Sequence, residues 1–114
     1  MAVLDDIIKI DVLTDETINS DFTSEPLDIG KAERYAIVFS YVNGSSVDMM
    51  ISLEASVDGV NFGQYEASEV QITDNDGSIS YDVYGSSAVF IRFKVVHTSG
   101  SIDASIFFSG KRNH

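Results

Sequence analysis

Residues 74–77 read Asp-Asn-Asp-Gly and are followed by Ser78 and Ile79, the arrangement found at the middle of an EF-hand calcium loop. Such a loop takes oxygen ligands at its first, third and fifth positions, glycine at the sixth, an apolar residue at the eighth and a bidentate glutamate at the twelfth. With Gly77 at the sixth position, Asp74, Asp76 and Ile79 fall where the loop needs them, but Ile72 takes the first position and Val83 the twelfth. Both ends of the cage are apolar, and the flanks alternate with period two where helices are required. The stretch is therefore read as a four-residue hairpin turn between Ile72 and Ile79, with its glycine at a positive φ. No metal ligands are expected there.

The remaining chemistry-bearing residues are scattered. Glu54, Glu66, Glu69 and Asp103 are candidates for the paired acid and base of glycoside hydrolysis, but no spacing singles out a pair and all four fall on polar strand faces. The histidines are His97 and His114, so a serine triad or an imidazole metal site would rest on His97 alone. His97 ends a strand in the apolar register and is read as a satisfied histidine at the rim of a core. There is no cysteine, hence no disulfide or thiolate site. There is also no glycine-rich phosphate loop. No catalytic residue, metal or cofactor is expected, and the chain reads as a non-enzyme.

The elements that position these residues are strands. From Val47 to Val57 the odd positions hold Val47, Met49, Ile51, Leu53, Ala55 and Val57, against Asp48, Met50, Ser52, Glu54 and Ser56, the period of a half-buried strand. Val89, Ile91, Phe93 and Val95 repeat the rule, as do Ile102, Ala104, Ile106 and Phe108. Shorter candidates run over 8–13, 17–23, 35–42, 64–67, 70–73 and 78–84, rich in β-branched and aromatic residues. Turn formers separate them at 43–46, 58–59, 74–77, 85–87 and 98–101. Residues 29–34 have room for one helical turn, and Pro26 lies in an irregular connection. About eight or nine short strands at this spacing indicate an all-β antiparallel sandwich of jelly-roll or immunoglobulin-like topology.

The 114 residues, with seven Phe and five Tyr, suit one soluble domain spanning the whole chain. Eighteen acids against seven bases give a net charge of −11, which disfavours nucleic acid and anionic membrane as partners. The start of the chain is acidic where a signal peptide is basic, so export by that route is not expected. Residues 110–114 form a basic tip in which Lys111 and Arg112 either stay solvated or dock on an acidic neighbour.

Interaction residues are sought where apolar side chains interrupt polar faces. Met50, Phe90, Val96 and Phe107 do so on otherwise clean strands, and clustered in space they would form a contact surface. Ile7 and Leu13 fall on the polar side of a strand through Ile8, Ile10 and Val12. Residues 1–20 are accordingly either an ordinary first strand or an arm that pairs with another copy.

Residues 52–65, SLEASVDGVNFGQY, and 90–112, FIRFKVVHTSGSIDASIFFSGKR, together resemble small β-sandwich structural proteins of tailed bacteriophage virions. The Asp58-Gly59-Val60-Asn61-Phe62 turn is also similar to one in discoidin-like carbohydrate-binding modules. In this pattern Asp58 and Gly59 make the turn, Phe62 re-enters the core, and the last hairpin turns at Ser99-Gly100-Ser101. The resemblance implies a virion component of decoration, head-fibre or neck and tail accessory type, located on the particle. Its partners would be copies of itself, as a homo-oligomer such as a trimer, and the major capsid or other virion proteins. The alternative is a glycan- or receptor-binding module, in which Tyr65, Tyr81 or Tyr84 would stack on a sugar. The chain has no tryptophan, the residue that usually does so.

Overall fold

The computed structural model describes residues 7–30, 34–65, 67–84 and 88–111. Two long strands organise it, β4 (Arg34–Ser56) and β8 (Phe90–Lys111), antiparallel along their whole length from Arg34↔Lys111 to Ser56↔Phe90. Each is two of the strands expected from periodicity joined through a bend. The N-terminal half of β4 and the C-terminal half of β8 are flanked by β1 (Ile7–Ile18) on β8 and β7 (Gly77–Tyr84) on β4. The other halves are flanked by β2 (Phe22–Thr23) and β3 (Leu27–Asp28) on β8, and by β5 (Gly63–Gln64) and β6 (Val70–Ile72) on β4.

One half-sheet has the order β1, β8, β4, β7, and the other has β2/β3, β8, β4, β5/β6. Folded face to face at the bend, these halves are the two sheets of a jelly roll, which separates it from the immunoglobulin-like alternative. The ring pair Phe39 and Phe93, one from each half, lies with centroids 5.4 Å apart and spans the space between the sheets.

The bend corrects two expectations of reversal. Residues 43–46 and 98–101 do not turn the chain back; both strands cross there from one sheet to the other, keeping Ser45↔Ser101 and Asp48↔Ser99 in register. The extra residues are absorbed by register shifts and by left-handed backbone at Asn43, Ser46 and Gly100, as a β-bulge requires. In β8 the bend also changes parity, so Ile91, Phe93 and Val95 point inward before it and Ile102, Ala104, Ile106 and Phe108 after it.

Asp74 to Asp76 is likewise no hairpin. It links β6, paired with Met49–Ile51, to β7, paired with Arg34–Tyr41, and so crosses between sheets. Gly44 N–H donates to the Asn75 carbonyl at 2.8 Å, pinning the connection to the bend. Gly77 does not adopt a positive φ; a Cβ there would sit 2.9 Å from the Tyr41 hydroxyl, so a larger residue would have to displace that side chain.

The core is the inner faces of both halves, with Phe39, Ile51, Leu53, Ile91, Phe93, Ala104 and Ile106 fully buried. Tyr35 stacks on Phe108 at 5.6 Å, and burial, with Tyr65 nearby, pushes its hydroxyl up to about 12. On β1, shifts between Asp11 and Leu13 and between Leu13 and Glu16 place Leu13 opposite Ile106, where it packs against the core. Strict alternation puts it on the polar side; the bulge reverses it. Leu27 and Asp28, inside the connection read as irregular, form β3.

Candidate functional site

The four apolar residues expected to interrupt polar faces do not form one patch. Met50 and Val96 are direct partners across β4 and β8. They line a shallow groove of about 330 Å³ with Asp48, Met49, Glu69, Gln71 and Thr98. Phe107, 44 % exposed, is on the outer face of the opposite sheet, paired with Val38 and Asp11. Phe90 sits at the far end of the first sheet, where its ring would meet a Cβ on Gly59 at 3.1 Å. Ile7 and Lys111 pair with each other's strands at the end of the sheet, and Arg112 lies outside the described residues.

The polar side chains around these positions are engaged locally. Glu54 and Arg92, facing partners in β4 and β8, form an ion pair at 2.8 Å, and the guanidinium lies 3.8 Å above the Phe62 ring. Phe62 thus caps the outer face, half-buried, and does not re-enter the core as the phage-like pattern implies. Glu54 is 8 % exposed, so Arg92→Ala leaves a nearly buried carboxylate without its cation. We expect a loss of about 2 kcal/mol in urea unfolding, less than for a fully enclosed pair because part of the arginine is wet. A loss below about 0.5 kcal/mol would mean that water replaces the guanidinium freely.

The Asp58 turn is a closed network. One carboxylate oxygen accepts from the Ser56 hydroxyl and from Val60 and Asn61 N–H, and the other from Asn61 Nδ2, all within 2.9 Å. Ser56 Oγ in turn accepts from Gly59 N–H at 2.9 Å, and Gly59 takes a φ of 77°. The backbone bonds from Asn61 and Val60, then the side-chain bonds, hold the Asp58 carboxyl well below the ordinary carboxylate range. Because the folded state binds this proton more weakly than the unfolded chain, the stabilisation is present above the unfolded value near 3.8 and is lost as pH falls through the folded one. The melting temperature should therefore drop between about pH 4 and pH 2 more steeply for the natural chain than for Asp58→Asn. Parallel acid limbs would show that the turn contributes nothing to acid sensitivity.

The other candidates for chemistry are also bonded in place. Asp103 accepts from Asn43 Nδ2 and Thr17 Oγ1 at 2.9 and 2.8 Å, and these bonds, that from Asn43 first, hold its carboxyl below the ordinary carboxylate range. His97 Nε2 donates to the Gly100 carbonyl at 2.8 Å, half-buried at the rim beside Met49. Tyr81 is turned inward, 5.7 Å from the Phe93 ring, and donates to the Ser68 carbonyl. Tyr65 packs against the core. Tyr84 lies in β7, but its side chain, like all of Glu66, lies outside the described residues. Asp74 and Asp76 are exposed near Tyr41, whose hydroxyl is pushed up by burial and then by these two charges. Among the described residues no three acids or histidines gather as a metal site.

Sequence reasoning missed the ion pair and the pairing of Met50 with Val96. Both depend on the register of strands about 40 residues apart, and no local signal carries that register.

No protein-family model and no curated protein matches the chain. Solved structures do match by fold. The SPBc2 prophage-derived protein YomS is 18 % identical, with a TM-score of 0.58, and the match covers 91 % of this chain and 93 % of that one. A Bacillus endospore appendage of a disulfide-linked pilus family is 13 % identical with a TM-score of 0.56, covering 94 % and 89 %. A chain of the T13 infectious bursal disease virus particle is 12 % identical with a TM-score of 0.58, covering 92 % of this chain and 31 % of that one. At these identities the likeness is one of fold, and that fold is a sandwich shared with a prophage protein, a pilus and a virus particle.

Proposed function

We propose that the chain is a non-enzymatic structural component of a bacteriophage virion that attaches to the capsid or tail as a homo-oligomer. The observation that carries this reading is the match to the prophage-derived protein, which extends over nine-tenths of both chains. It agrees with the bacteriophage resemblance of residues 52–65 and 90–112. The polar residues support it too, since Asp58, Asp103 and His97 are committed to holding a turn and the bend and Glu54 to an ion pair with Arg92.

Binding would act through complementary surfaces presented in many copies, because a contact too weak alone becomes firm when several are held on one lattice. The test is sedimentation of particles assembled with the chain present. A stoichiometric band of the chain moving with the particles supports the reading. A chain that stays wholly in the soluble fraction, or a monomer that binds an oligosaccharide array, overturns it.

A further inference from the structure

The bend is built on a dipeptide that carries its own reaction. Asn43-Gly44 is the one Asn-Gly pair in the chain, and the fold requires both members. Asn43 takes a φ of 56°, left-handed backbone that asparagine tolerates better than most residues with a Cβ. Gly44 faces the connection from β6 to β7: a Cβ there would lie 2.6 Å from Asn75 Cα and 2.7 Å from the Asn75 carbonyl oxygen. Both are backbone atoms, so no larger residue fits without moving the crossing. In such a pair the Gly44 nitrogen can attack Cγ of the Asn43 amide, since glycine has no side chain to shield it. A bond from Gly44 N to Cγ forms, the Cγ–Nδ2 bond breaks, and Nδ2 leaves as ammonia with the proton of the Gly44 N–H. Water then opens the succinimide ring at either carbonyl, leaving aspartate or isoaspartate.

In the closed bend both reacting groups are held elsewhere. Asn43 Nδ2 donates to Asp103 Oδ2 at 2.9 Å, and Gly44 N–H donates to the Asn75 carbonyl at 2.8 Å. Asp103 is itself fixed by Thr17 Oγ1 of β1 at 2.8 Å. For the ring to close, the amide must leave Asp103 and turn toward Gly44 while the Gly44 N–H gives up Asn75. Asn43 is exposed, so water for the second step is at hand. The hydrogen bonds, rather than burial, are the protection.

We propose that Asn43 is a modification site that reacts only when the bend is open: its amide is lost to attack by the Gly44 nitrogen, and the loss keeps the bend from closing again. An aspartate at position 43 has no donor for Asp103 and sets a second carboxylate against it where a hydrogen bond had been. An isoaspartate adds a main-chain carbon before Gly44, next to the stretch where Ser45↔Ser101 and Asp48↔Ser99 keep register. Either product removes a fixed point at which β4 passes from one sheet to the other. The chain is thus protected once folded and chemically marked when it stays unfolded, which makes prolonged unfolding irreversible.

The test holds the natural chain for days at mildly alkaline pH, in buffer and in urea above its unfolding midpoint, and follows each asparagine by peptide mapping and mass spectrometry. In urea Asn43 should convert first, ahead of Asn19, which precedes Ser20, and Asn61, which precedes Phe62. In buffer its conversion should be slower by about tenfold or more, because reaction then waits on local opening. Asp103→Ala, which frees the amide, should quicken it in buffer, whereas Thr17→Ala, which leaves Asn43 bonded to Asp103, should not. On dilution from urea the unconverted chain should refold, and the converted chain should stay unfolded or unfold at a lower urea midpoint. Asn43→Gly keeps the left-handed backbone with no amide to lose, and should refold in full after the same incubation. Equal rates at Asn43 in buffer and urea, or conversion of Asn19 or Asn61 before it, overturn the site. An Asp103→Ala chain no faster than Thr17→Ala overturns its protection by the bend. Refolding of the converted chain to an unchanged midpoint, or a parallel loss of refolding in Asn43→Gly, overturns its effect on closure.

Discussion

Phe93→Ala is expected to lower the unfolding free energy by about 4 kcal/mol, the range for removing a buried phenylalanine from a close-packed core. The residue has no exposed surface. Its ring meets Phe39 of the opposite sheet at 5.4 Å, edge to face, and Tyr81 at 5.7 Å. Its backbone is held from the other side, since Phe93 N–H donates to Ser24 Oγ at 2.8 Å and its carbonyl accepts from Ser24 N–H at 2.9 Å. A strand tied at both its neighbours cannot move inward to fill the space, so the cavity term is retained in full. A domain of this size has about 5–15 kcal/mol in all, and the melting temperature should fall by about 15 °C or more. Val60→Ala is the control: with 79 % of its surface exposed, it should change stability by less than about 0.5 kcal/mol. A loss below about 1.5 kcal/mol for Phe93→Ala would mean that the two halves are not held together through this ring.

The same residue shows how far the sequence could be read. Ile91, Phe93 and Val95 recur at every second position, as do Met49, Ile51 and Leu53, and all six are buried. Period two reports which face of a strand is apolar, and it reported these inner faces correctly. It does not report whether a polar gap reverses the chain or bends it. Asn43 to Ser46 and Ser99 to Ser101 have the composition of hairpin turns, yet the ladder runs through them because the segments on either side pair with the same partner strand. A turn type is local chemistry, whereas a bend is fixed by pairing across the sheet. Leu13 makes the point within one strand: two bulges carry it to the core side, and nothing in its neighbours announces them.

The candidate surfaces were legible in the same partial way. Met50, Phe90, Val96 and Phe107 are outward in alternation, as expected, but they lie on different sheets and at different ends. Only Met50 and Val96 are direct partners. The Arg92, Glu54 and Phe62 stack draws on three segments and needs a register that alternation does not contain. The Asp58 turn, in contrast, is local: Ser56, Asp58, Gly59 and Asn61 satisfy one another within six residues, and its turn chemistry was readable directly.

The bend itself yields the other large effect. Gly100 adopts a φ of 84°, and a Cβ there would lie 2.5 Å from the Ser46 carbonyl oxygen and closer still to that of Ser45. Both obstacles are backbone of β4, which cannot swing aside as a flexible side chain would. Gly100→Ala therefore meets two costs at once, a left-handed conformation unfavourable to any residue with a Cβ and a clash that must push the crossing strands apart. Together they should amount to about 3 kcal/mol or more, read as a fall in the urea midpoint at unchanged slope. Gly63→Ala isolates the cause, because its Cβ would meet nothing within 4 Å and its φ is ordinary, so it should stay within about 0.5 kcal/mol. The damage should also be localised. Moving Gly100 shifts the carbonyl that accepts from His97 Nε2 and the Ser99 hydroxyl that donates to Ser46, so amide exchange should quicken first at the bend, near Ser45 and Ser101. Uniform quickening across both sheets would mean that the bend is no separate element, and that β4 and β8 open only as a whole.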